Sequence, residues 1–293
     1  MSGFTALGLK PYTPLPTIEK FHHDESFFRC IRGPIGSGKS VGCVMELLLR
    51  AIRQAPIDGV RRTRWAIIRN THAQLVATSM ATFKERFPEF INDRPFFPIT
   101  QEDRGYMKGK LKNAQWIGGT IIDMEVLFIA LDGPGAYNKI KSLDITGAWI
   151  NELSELDQNV LQMVIGRCGR YPPLENGVGA TWDGIISDTN PPDADHWLAK
   201  LEVERPTIEY EGKVYKYNFF VQPPALVPVT DGAKRTYVPN RGKHGYAEAE
   251  NIKNLKDGYG YYVKQIPGAT EDWIKVFILG QFGDISSGFI RLV

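Results

Sequence analysis

Short apolar runs and helically spaced apolar residues alternate along the first two thirds of the chain. Residues 27–32 form a short run rich in residues that favour strands, and from 39 to 54 apolar residues recur every three or four positions. This pattern predicts a strand, a glycine loop and a helix. Residues 64–69 and 71–87 repeat the strand and helix, and Pro88 is expected to end the second helix.

Three further apolar runs continue the alternation. Residues 121–131, 143–150 and 184–187 are predicted strands, with a helix over 157–166 behind the second one. The polar and aromatic stretch 93–119 is predicted to be a loop or an antiparallel hairpin. Strands that alternate with helices indicate an α/β fold with a mainly parallel sheet, flanking helices and right-handed crossovers.

The pattern changes at both ends of this region. Prolines dominate the chain up to residue 16, and further prolines punctuate short segments beyond 191. Residues 246–265 are predicted to form a long helix, which two internal glycines weaken. We therefore predict an N-terminal arm (1–20), a core domain (21–192) and a small lid or linker subdomain (193–293).

Composition narrows the class of protein. Of 293 residues, 43% are hydrophobic, which is enough for one large α/β domain with a smaller appendage. The three cysteines lack CxxC or Cys/His spacing, which argues against a disulfide framework or a structural zinc site and favours a reducing cytoplasm. A leader sequence or an apolar stretch of roughly 18 residues is not seen, so a membrane location is not expected.

The net charge of +2 is too small to indicate a nucleic-acid partner by itself. Any such contact must come from local clusters of basic residues. Residues 104–112, which include Arg104, and residues 234–243 are the candidates, and a solvated charged face is the alternative for both.

Residues 33–40 carry the clearest chemical signal: they read Gly-Pro-Ile-Gly-Ser-Gly-Lys-Ser between the first predicted strand and its helix. They match the phosphate-loop (P-loop, Walker A) pattern, in which backbone N–H groups surround phosphate oxygens at a helix N-terminus. We expect Lys39 to reach the β- and γ-phosphates of ATP and Ser40 to bind Mg²⁺. A glycine turn before a helix is the alternative. The expected nucleotide contacts here are Gly33, Pro34, Ile35, Gly36, Ser37, Gly38, Lys39, Ser40 and Val41.

A second candidate is the polar pair Asn151 and Glu152, at the end of the apolar run 143–150. Phosphoryl transfer to water needs a carboxylate that orients the water, and Glu152 is expected to fill this role. Asn151 can accept a hydrogen bond from a metal-bound water but brings no charge, so Mg²⁺ should depend more on Ser40 and the nucleotide. The alternative is a buried strand followed by a helix cap.

A third candidate is the run Ser187-Asp188-Thr189-Asn190 before two prolines. In P-loop motors, small hydrogen-bonding residues at such a strand end sense the γ-phosphate. A turn in which a polar side chain bonds its own backbone explains the same residues equally well.

Taken together, these stretches resemble the large terminase subunit of tailed bacteriophages, the ATPase of the genome-packaging motor, from about residue 21 to 282. Residues 33–40 are similar to the family's phosphate loop, 69–75 (Arg-Asn-Thr-His-Ala-Gln-Leu) to its second motif, 142–152 to its catalytic strand and 187–191 to its coupling motif. The resemblance implies a RecA-like P-loop NTPase fold. It assigns roles to Lys39, Ser40, Glu152, Thr189 and Asn190, and an adenine-side contact to Phe21.

The resemblance also implies cofactors and partners. These are ATP and Mg²⁺, double-stranded DNA, the portal of a procapsid and the small terminase subunit. It implies a homo-oligomeric ring on the portal, a monomer in isolation and a location in the host cell cytoplasm.

Two departures from the family's pattern matter. Some members carry an arginine inside the phosphate loop, where this chain has Pro34, Ile35 and Ser37. The arginine is therefore expected from a neighbouring subunit, with Arg167 or Arg170 as candidates, although a surface salt bridge or helix-end charge also explains both. Family members continue into a nuclease domain that this chain lacks, so DNA cleavage is not expected of this chain alone.

Two other functions fit the same residues. A different RecA-like helicase or translocase would use the same phosphate machinery. A nucleotide-binding switch with weak turnover is the other alternative, because Asn151 replaces the usual carboxylate.

Overall fold

A computed structural model describes residues 9–102, 105–112, 115–116, 119–132, 135–232 and 234–284. Arg104 of the predicted basic patch lies outside these residues. Within them, every helix is too short or too polar to cross a lipid bilayer.

A large, mainly parallel sheet forms the centre of the fold. The strands of the described chain are β1 (Phe28–Arg32), β2 (Val60–Arg69), β3 (Phe90–Ile91), β4 (Arg94–Pro95), β5 (Ile99–Gln101), β6 (Met107–Lys110), β7 (Gln115–Trp116), β8 (Thr120–Ala130), β9 (Gly147–Asn151), β10 (Gly184–Thr189), β11 (Thr207–Tyr210), β12 (Lys213–Val221), β13 (Leu226–Asp231) and β14 (Lys234–Pro239). Of these, β3 with β4 and β13 with β14 form separate two-stranded sheets. Within the described residues the sheet order is β11-β12-β1-β10-β9-β2-β8-β6-β5, with β7 on β8. The α/β fold class predicted from the sequence is confirmed.

The central strands pair in parallel, and the antiparallel pairs lie toward the sheet's edges. Strand β2 runs parallel to both neighbours, with Trp65 opposite Gly147 of β9 and Val126 of β8. Strands β5 and β6 form the antiparallel hairpin predicted for the stretch 93–119. Every residue of β1, β9 and β10 is buried, as expected for central strands that are covered on both faces of the sheet.

Helices connect and flank these strands. The α-helices are α1 (Pro16–His23), α2 (Lys39–Arg53), α3 (His72–Gln74), α4 (Ala81–Arg86), α5 (Ala136–Lys141), α6 (Gln158–Ile165), α7 (Trp197–Glu204), α8 (Gly260–Val263) and α9 (Glu271–Phe277). In the same described ranges, 3₁₀ turns cover Leu153–Glu155, Leu174–Asn176 and Ile252–Asn254, and a π-helix covers Leu75–Met80. Pro16 occupies the first turn of α1, where its fixed φ favours a helix start.

Some elements differ from the prediction. The helix predicted over 71–87 contains the π-helix Leu75–Met80 between two α-helical pieces. Strand β9 begins at Gly147 rather than at 143. The long helix predicted over 246–265 is wrong, because Asn251 (φ 64°) and Gly258 (φ 54°) adopt left-handed backbone conformations that a right-handed helix cannot contain.

The chain divides into two compact units. The first comprises Glu25–Phe28 and Ser40–Ser187 with the chain up to Pro14; the second comprises Leu15–Asp24, Arg29–Lys39 and the chain from Asp188. The first unit buries Trp65, Trp149 and a cluster of phenylalanine rings around Phe83. The second has its own apolar cluster, which includes Leu226 and Tyr262. The boundaries at 20 and 192 stay a prediction.

Candidate functional site

The phosphate loop, residues 33–39, lies in the second unit and requires two of its glycines. Gly36 (φ 69°) and Gly38 (φ 84°) have left-handed backbone conformations, which glycine adopts without steric cost. A Cβ at Gly36 would lie 3.0 Å from the ring of Tyr261, and one at Gly38 would lie 3.1 Å from Leu15. The loop therefore has neither the backbone freedom nor the space for larger residues.

Lys39 is buried and directed into its own loop. Its Nζ donates to the carbonyl oxygens of Gly33 (3.1 Å) and Pro34 (2.7 Å) and to Oδ1 of Asn190 (3.1 Å). Ser37 donates to the same Pro34 oxygen at 2.6 Å. Because each of these partners is a neutral oxygen, a phosphate oxygen with a full charge is a stronger acceptor for the ammonium group.

Asn190 and Thr189 lie at the end of β10, where the sequence predicted a phosphate sensor. The contact between Lys39 and Asn190 brings together two motifs that are far apart in sequence. Thr189 is buried, and its hydroxyl donates to the backbone oxygen of Asn190 at 2.7 Å. Asn190 is thus the residue of this pair whose side chain accepts a hydrogen bond from Lys39.

Three side chains from the distant C-terminal part of the second unit support the phosphate loop. They donate to successive loop carbonyls: Tyr262 Oη to Ile35 (2.8 Å), Asn251 Nδ2 to Gly36 (2.7 Å) and Gln222 Nε2 to Ser37 (2.9 Å). Burial raises the pKa of the Tyr262 phenol above its usual range, so this hydroxyl keeps its proton and remains a donor. Sequence analysis missed all three residues, because no local spacing marks a contact of such long range.

Gln222 also connects the loop to a cavity of the second unit. Its Nε2 donates to Glu250 (2.9 Å), and Glu250 in turn accepts hydrogen bonds from the backbone and hydroxyl of Thr17. Gln222, Glu250, Thr17, Lys20 and Tyr246 line the cavity with other residues, and its volume is about 510 Å³. This volume falls in the range of small-molecule pockets.

The placement of Phe21 corrects one expectation. Its ring is fully buried, with the Arg29 guanidinium 4.7 Å from the ring centroid and Phe220 packed edge-on at 5.6 Å. A ring without accessible surface has no face for a base. Phe21 is therefore a core residue in this structure, and the adenine contact assigned to it has no support.

In the first unit, Asn151 ends β9 and is held by the π-helix. Its Oδ1 accepts a hydrogen bond from the Ser79 hydroxyl at 2.7 Å, and both side chains are buried. Ser79 lies in Leu75–Met80, so the wider π turn sets the position of its hydroxyl. One lone pair of the Asn151 oxygen is thus already used, which sequence analysis did not anticipate.

Glu152, the predicted water-orienting carboxylate, follows directly and has an unusual backbone. Its φ and ψ are 52° and 60°, in the left-handed region that non-glycine residues rarely adopt. Arg69, at the end of β2, donates from NH1 to the Asn151 carbonyl (3.2 Å) and from NH2 to Glu155 (3.0 Å). Backbone strain of this kind concentrates at functional sites.

Ser40 and Val41 belong to the first turn of α2, and both are partly exposed. This 15-residue helix has no acidic residue in its first turn. Its positive N-terminal partial charge is therefore not offset by a carboxylate of that turn, which favours anion binding next to Lys39. A serine hydroxyl at this point fits the oxygen preference of Mg²⁺. No group of three or more His, Cys, Asp or Glu side chains suited to a metal ion occurs among the described residues.

Arg167 and Arg170 lie at the opposite end of β9 from Glu152. The Arg167 carbonyl accepts from the Ile145 amide (3.3 Å), and the Arg170 amide donates to the Ile145 carbonyl (3.1 Å). The strand Gly147–Asn151 separates this point from Glu152, a distance of roughly 17 Å at about 3.3 Å per residue. Arg170 also lies 3.8 Å from Asp144 in an exposed ion pair. Neither arginine is placed to serve the Glu152 of its own chain.

The predicted DNA-binding patches are partly neutralised. Lys108 and Lys110 pair with Glu125 and Asp123 at 3.1 and 2.8 Å, whereas Lys112 is exposed. In the second patch Arg235 pairs with an exposed glutamate and Lys243 is exposed. Among the described side chains of the two patches, Lys108, Lys110 and Arg235 are therefore neutralised by carboxylates.

No protein-family model and no curated protein sequence matches this chain. Among solved structures, it is similar to the large terminase of a thermophilic bacteriophage, with a TM-score of 0.55 and 11% identity over 93% of this chain and 53% of that one. The same terminase in complex with ADP gives a TM-score of 0.55 and 10% identity over 92% and 54% of the two chains. This chain thus spans about half the length of that terminase.

The large terminase ATPase domain of Thermus phage P74-26 is matched over nearly its whole length. The TM-score is 0.51 and the identity 14%, over 95% of this chain and 96% of that domain. At this level of identity the similarity concerns the fold. This chain has the fold of large terminase ATPase domains, as the sequence motifs predicted.

Proposed function

We propose that this chain is the ATP-hydrolysing motor domain of a viral large terminase, which moves double-stranded DNA into a procapsid. The observation that carries the proposal is the contact of Lys39 with Asn190. It joins the phosphate loop to the end of β10, where a P-loop motor needs a group that responds to the γ-phosphate. The similarity in fold to large terminase ATPase domains supports the same function.

The loop residues bind and orient the nucleotide. ATP phosphates replace the carbonyl oxygens of Gly33 and Pro34 as partners of Lys39, because a charged oxygen attracts the ammonium group more strongly. Ser40 is the proposed ligand of Mg²⁺, which neutralises charge on the phosphates when bound. Asn190 loses or changes its contact with Lys39 in the same exchange, and so registers the presence of the γ-phosphate.

Hydrolysis is assigned to Glu152. Its carboxylate orients the attacking water and accepts its proton, as phosphoryl transfer to water requires. The charge that develops on the γ-phosphate oxygens needs a guanidinium group, and Arg167 or Arg170 of an adjacent subunit supplies it. This arrangement makes the assembled homo-oligomeric ring the active form and the isolated monomer a weak ATPase.

The proposed partners follow from this role. They are double-stranded DNA, bound by charge and without sequence preference, the portal of a procapsid, and the small terminase subunit. The proposed location is the host cell cytoplasm, with transient attachment to the procapsid. Cleavage of DNA is not assigned to this chain.

The test is ATP hydrolysis with and without DNA and procapsids, for the parent and two variants. Lys39→Ala is expected to lose nucleotide binding and turnover together, because the charge at the phosphates is gone. Glu152→Gln is expected to keep binding and lose hydrolysis. Lys264→Ala, which removes an exposed ion pair with Asp257, is the matched control and should behave like the parent. A Glu152→Gln protein that hydrolyses ATP at the parent rate would refute the assignment.

A nucleotide-binding switch with weak turnover is the second candidate. The neutral Asn151, whose oxygen is partly used by Ser79, favours it, because less charge is then available to hold the metal. Tight nucleotide binding with slow hydrolysis that neither DNA nor procapsids stimulate would favour the switch over the motor. A related helicase or translocase would show DNA stimulation without a response to procapsids.

A further inference from the structure

The turn that carries Glu152 needs support from outside its own backbone. A left-handed conformation at a glutamate is unfavourable, and it persists only where surrounding contacts determine it. The next residues, Leu153–Glu155, form a 3₁₀ turn, which the backbone bond from the Glu155 amide to the Glu152 carbonyl closes at 2.9 Å. The turn is therefore short, strained and in need of an anchor on each side.

Arg69 supplies both anchors with one guanidinium group. NH1 donates to the backbone oxygen of Asn151, immediately before Glu152, and NH2 donates to the carboxylate of Glu155, at the end of the turn. Adjacent strands make this possible, because Ile68 of β2 lies opposite Ile150 of β9, and Arg69 and Asn151 are the next and last residues of these two strands. The rigid fork of an arginine carries donors on separate nitrogens in a fixed plane and can bridge two acceptors that lie apart, whereas the donors of a lysine share one nitrogen.

The second motif supplies further support for the same carboxylate. Gln74 Nε2 donates to the other carboxylate oxygen of Glu155 at 3.2 Å, and the Thr71 hydroxyl caps the Gln74 amide at 3.3 Å. Arg69 is only 5% exposed, and its Nε–H has no hydrogen-bond partner within the described part of the chain. A buried charged group with an unsatisfied donor is costly, which indicates that the position of this guanidinium serves more than local stability.

We propose that Arg69 is the positioning residue of the reaction: it holds the Asn151–Glu155 turn in the left-handed conformation that presents the Glu152 carboxylate to water. Glu155 and Gln74 assist by fixing the far end of the turn. This inference rests on the proposed function, since it gives Glu152 the water-orienting role. It assigns a role to the arginine of the second motif that does not involve contact with the nucleotide.

The experiment compares kcat with nucleotide affinity. Arg69→Gln is expected to lower kcat by roughly 10- to 100-fold, the effect of a small misplacement of a catalytic group, while the Kd for ATP stays within about twofold of the parent. Arg69→Lys keeps the charge and loses the fork, so its kcat should lie between that of the parent and that of Arg69→Gln. Glu155→Gln, which removes the charge partner at the far end, should also lower kcat and leave Kd unchanged.

Arg64→Gln is the matched control. Arg64 lies on the same strand and also pairs with a glutamate, the buried Glu125, at 2.7 Å, but it has no contact with the Glu152 turn among those described. Its kcat should stay close to the parent value. A loss of kcat equal to that of Arg69→Gln would show a general effect of breaking a β2 ion pair and would overturn the proposal.

Three outcomes separate this proposal from the proposed function. Arg69→Gln with the parent kcat, or with kcat and affinity lost in equal proportion, overturns the positioning role. If Glu152→Gln also has the parent kcat, the proposed function itself fails. In a Glu152→Gln background, Arg69→Gln should cause no further loss of kcat, because both changes remove the same contribution. If Arg69→Gln does not fold, Arg69→Lys and Glu155→Gln decide the question by the same ratio of kcat to Kd.

Discussion

Gly38 is a position where both the backbone conformation and the space around it require glycine. Its φ of 84° excludes side chains on conformational grounds, and a Cβ would also lie 3.1 Å from Leu15 and 3.4 Å from Asn251. Gly212, with φ 75° and no atom within 4 Å of the position that a Cβ would take, has the first restriction without the second.

We therefore expect Gly212→Ala to lower the free energy of unfolding by about 1–2 kcal/mol, the cost of a left-handed alanine. Gly38→Ala should cost more and should also weaken nucleotide binding, because the loop must move. Urea unfolding of both variants measures the difference. Equal losses for the two glycines would show that the space around Gly38 is not restrictive.

Asn151 is the residue at which one added charge should be most informative. An aspartate at this position can still accept the hydrogen bond from Ser79, and it adds a negative charge where the proposed site holds Mg²⁺. Asn151→Asp is expected to lower the Mg²⁺ concentration needed for half-maximal ATP hydrolysis. Asn159→Asp, which adds the same charge at an exposed position, is the control. A titration curve that stays in place or moves to higher Mg²⁺ would contradict the assignment of Asn151.

At the scale of elements, helix Trp197–Glu204 begins with a cap that responds to pH. His196 Nδ1 accepts a hydrogen bond from the Leu198 amide at 3.2 Å, which only the neutral imidazole can do. Burial lowers the pKa of His196, against the opposing effect of Asp193 and Asp195. The folded state therefore favours the neutral form, and its contribution to stability is present above the unfolded-state pKa of about 6.5 and lost as the pH falls below it.

The prediction is a difference between two melting curves. The Tm of the parent should fall relative to that of His196→Asn as the pH is lowered from about 7.5 to 5, because asparagine caps a helix without titrating. Thermal unfolding at several pH values measures it. Parallel curves for the two proteins would show that the imidazole does not cap the helix in solution.

The elements also show which parts of the structure a sequence can predict. The phosphate loop and β9 were predictable because their signals are local: glycine spacing in one case, an apolar run ending in polar residues in the other. The π-helix Leu75–Met80 was not, because its residues have ordinary helical spacing and the extra residue per turn is stabilised by tertiary contacts such as Ser79 with Asn151. The long helix predicted over 246–265 is absent because Gly258 has a left-handed backbone conformation, which the spacing of apolar residues does not reveal.

At the scale of the whole molecule, the candidate site was predicted in part. The sequence singled out both Lys39 and Asn190, which the structure brings into contact, and it placed Arg69 in the second motif without a role, but it did not indicate Gln222 or Asn251. The missed residues act through contacts with backbone carbonyl groups, and any polar side chain can make such a contact. Only the fold determines which one is close enough.

The position of Arg167 and Arg170 leads to a prediction about assembly. Because both lie at the far end of β9 from Glu152, the proposed function requires that the arginine act on the site of another subunit. Mixed rings of Glu152→Gln subunits with Arg167→Ala or Arg170→Ala subunits should recover part of the procapsid-dependent ATPase activity, since some interfaces combine an intact glutamate with an intact arginine. A guanidinium group supplied in this way accelerates phosphoryl transfer by roughly 10³- to 10⁵-fold. If both arginine variants keep full activity as unmixed rings, the donated group lies elsewhere in the chain.

The side chains that support the phosphate loop have a consequence for biosynthesis. The loop carbonyls are bonded by Gln222, Asn251 and Tyr262, and the Ile35 amide by the Phe277 carbonyl at 2.9 Å. On a ribosome that adds roughly 5–20 residues per second, on the order of 10 to 50 seconds separates the synthesis of Lys39 from that of Phe277. The nascent chain therefore spends most of that interval with an incompletely supported phosphate loop, and the loop gains its full set of hydrogen bonds only when helix α9 has left the exit tunnel.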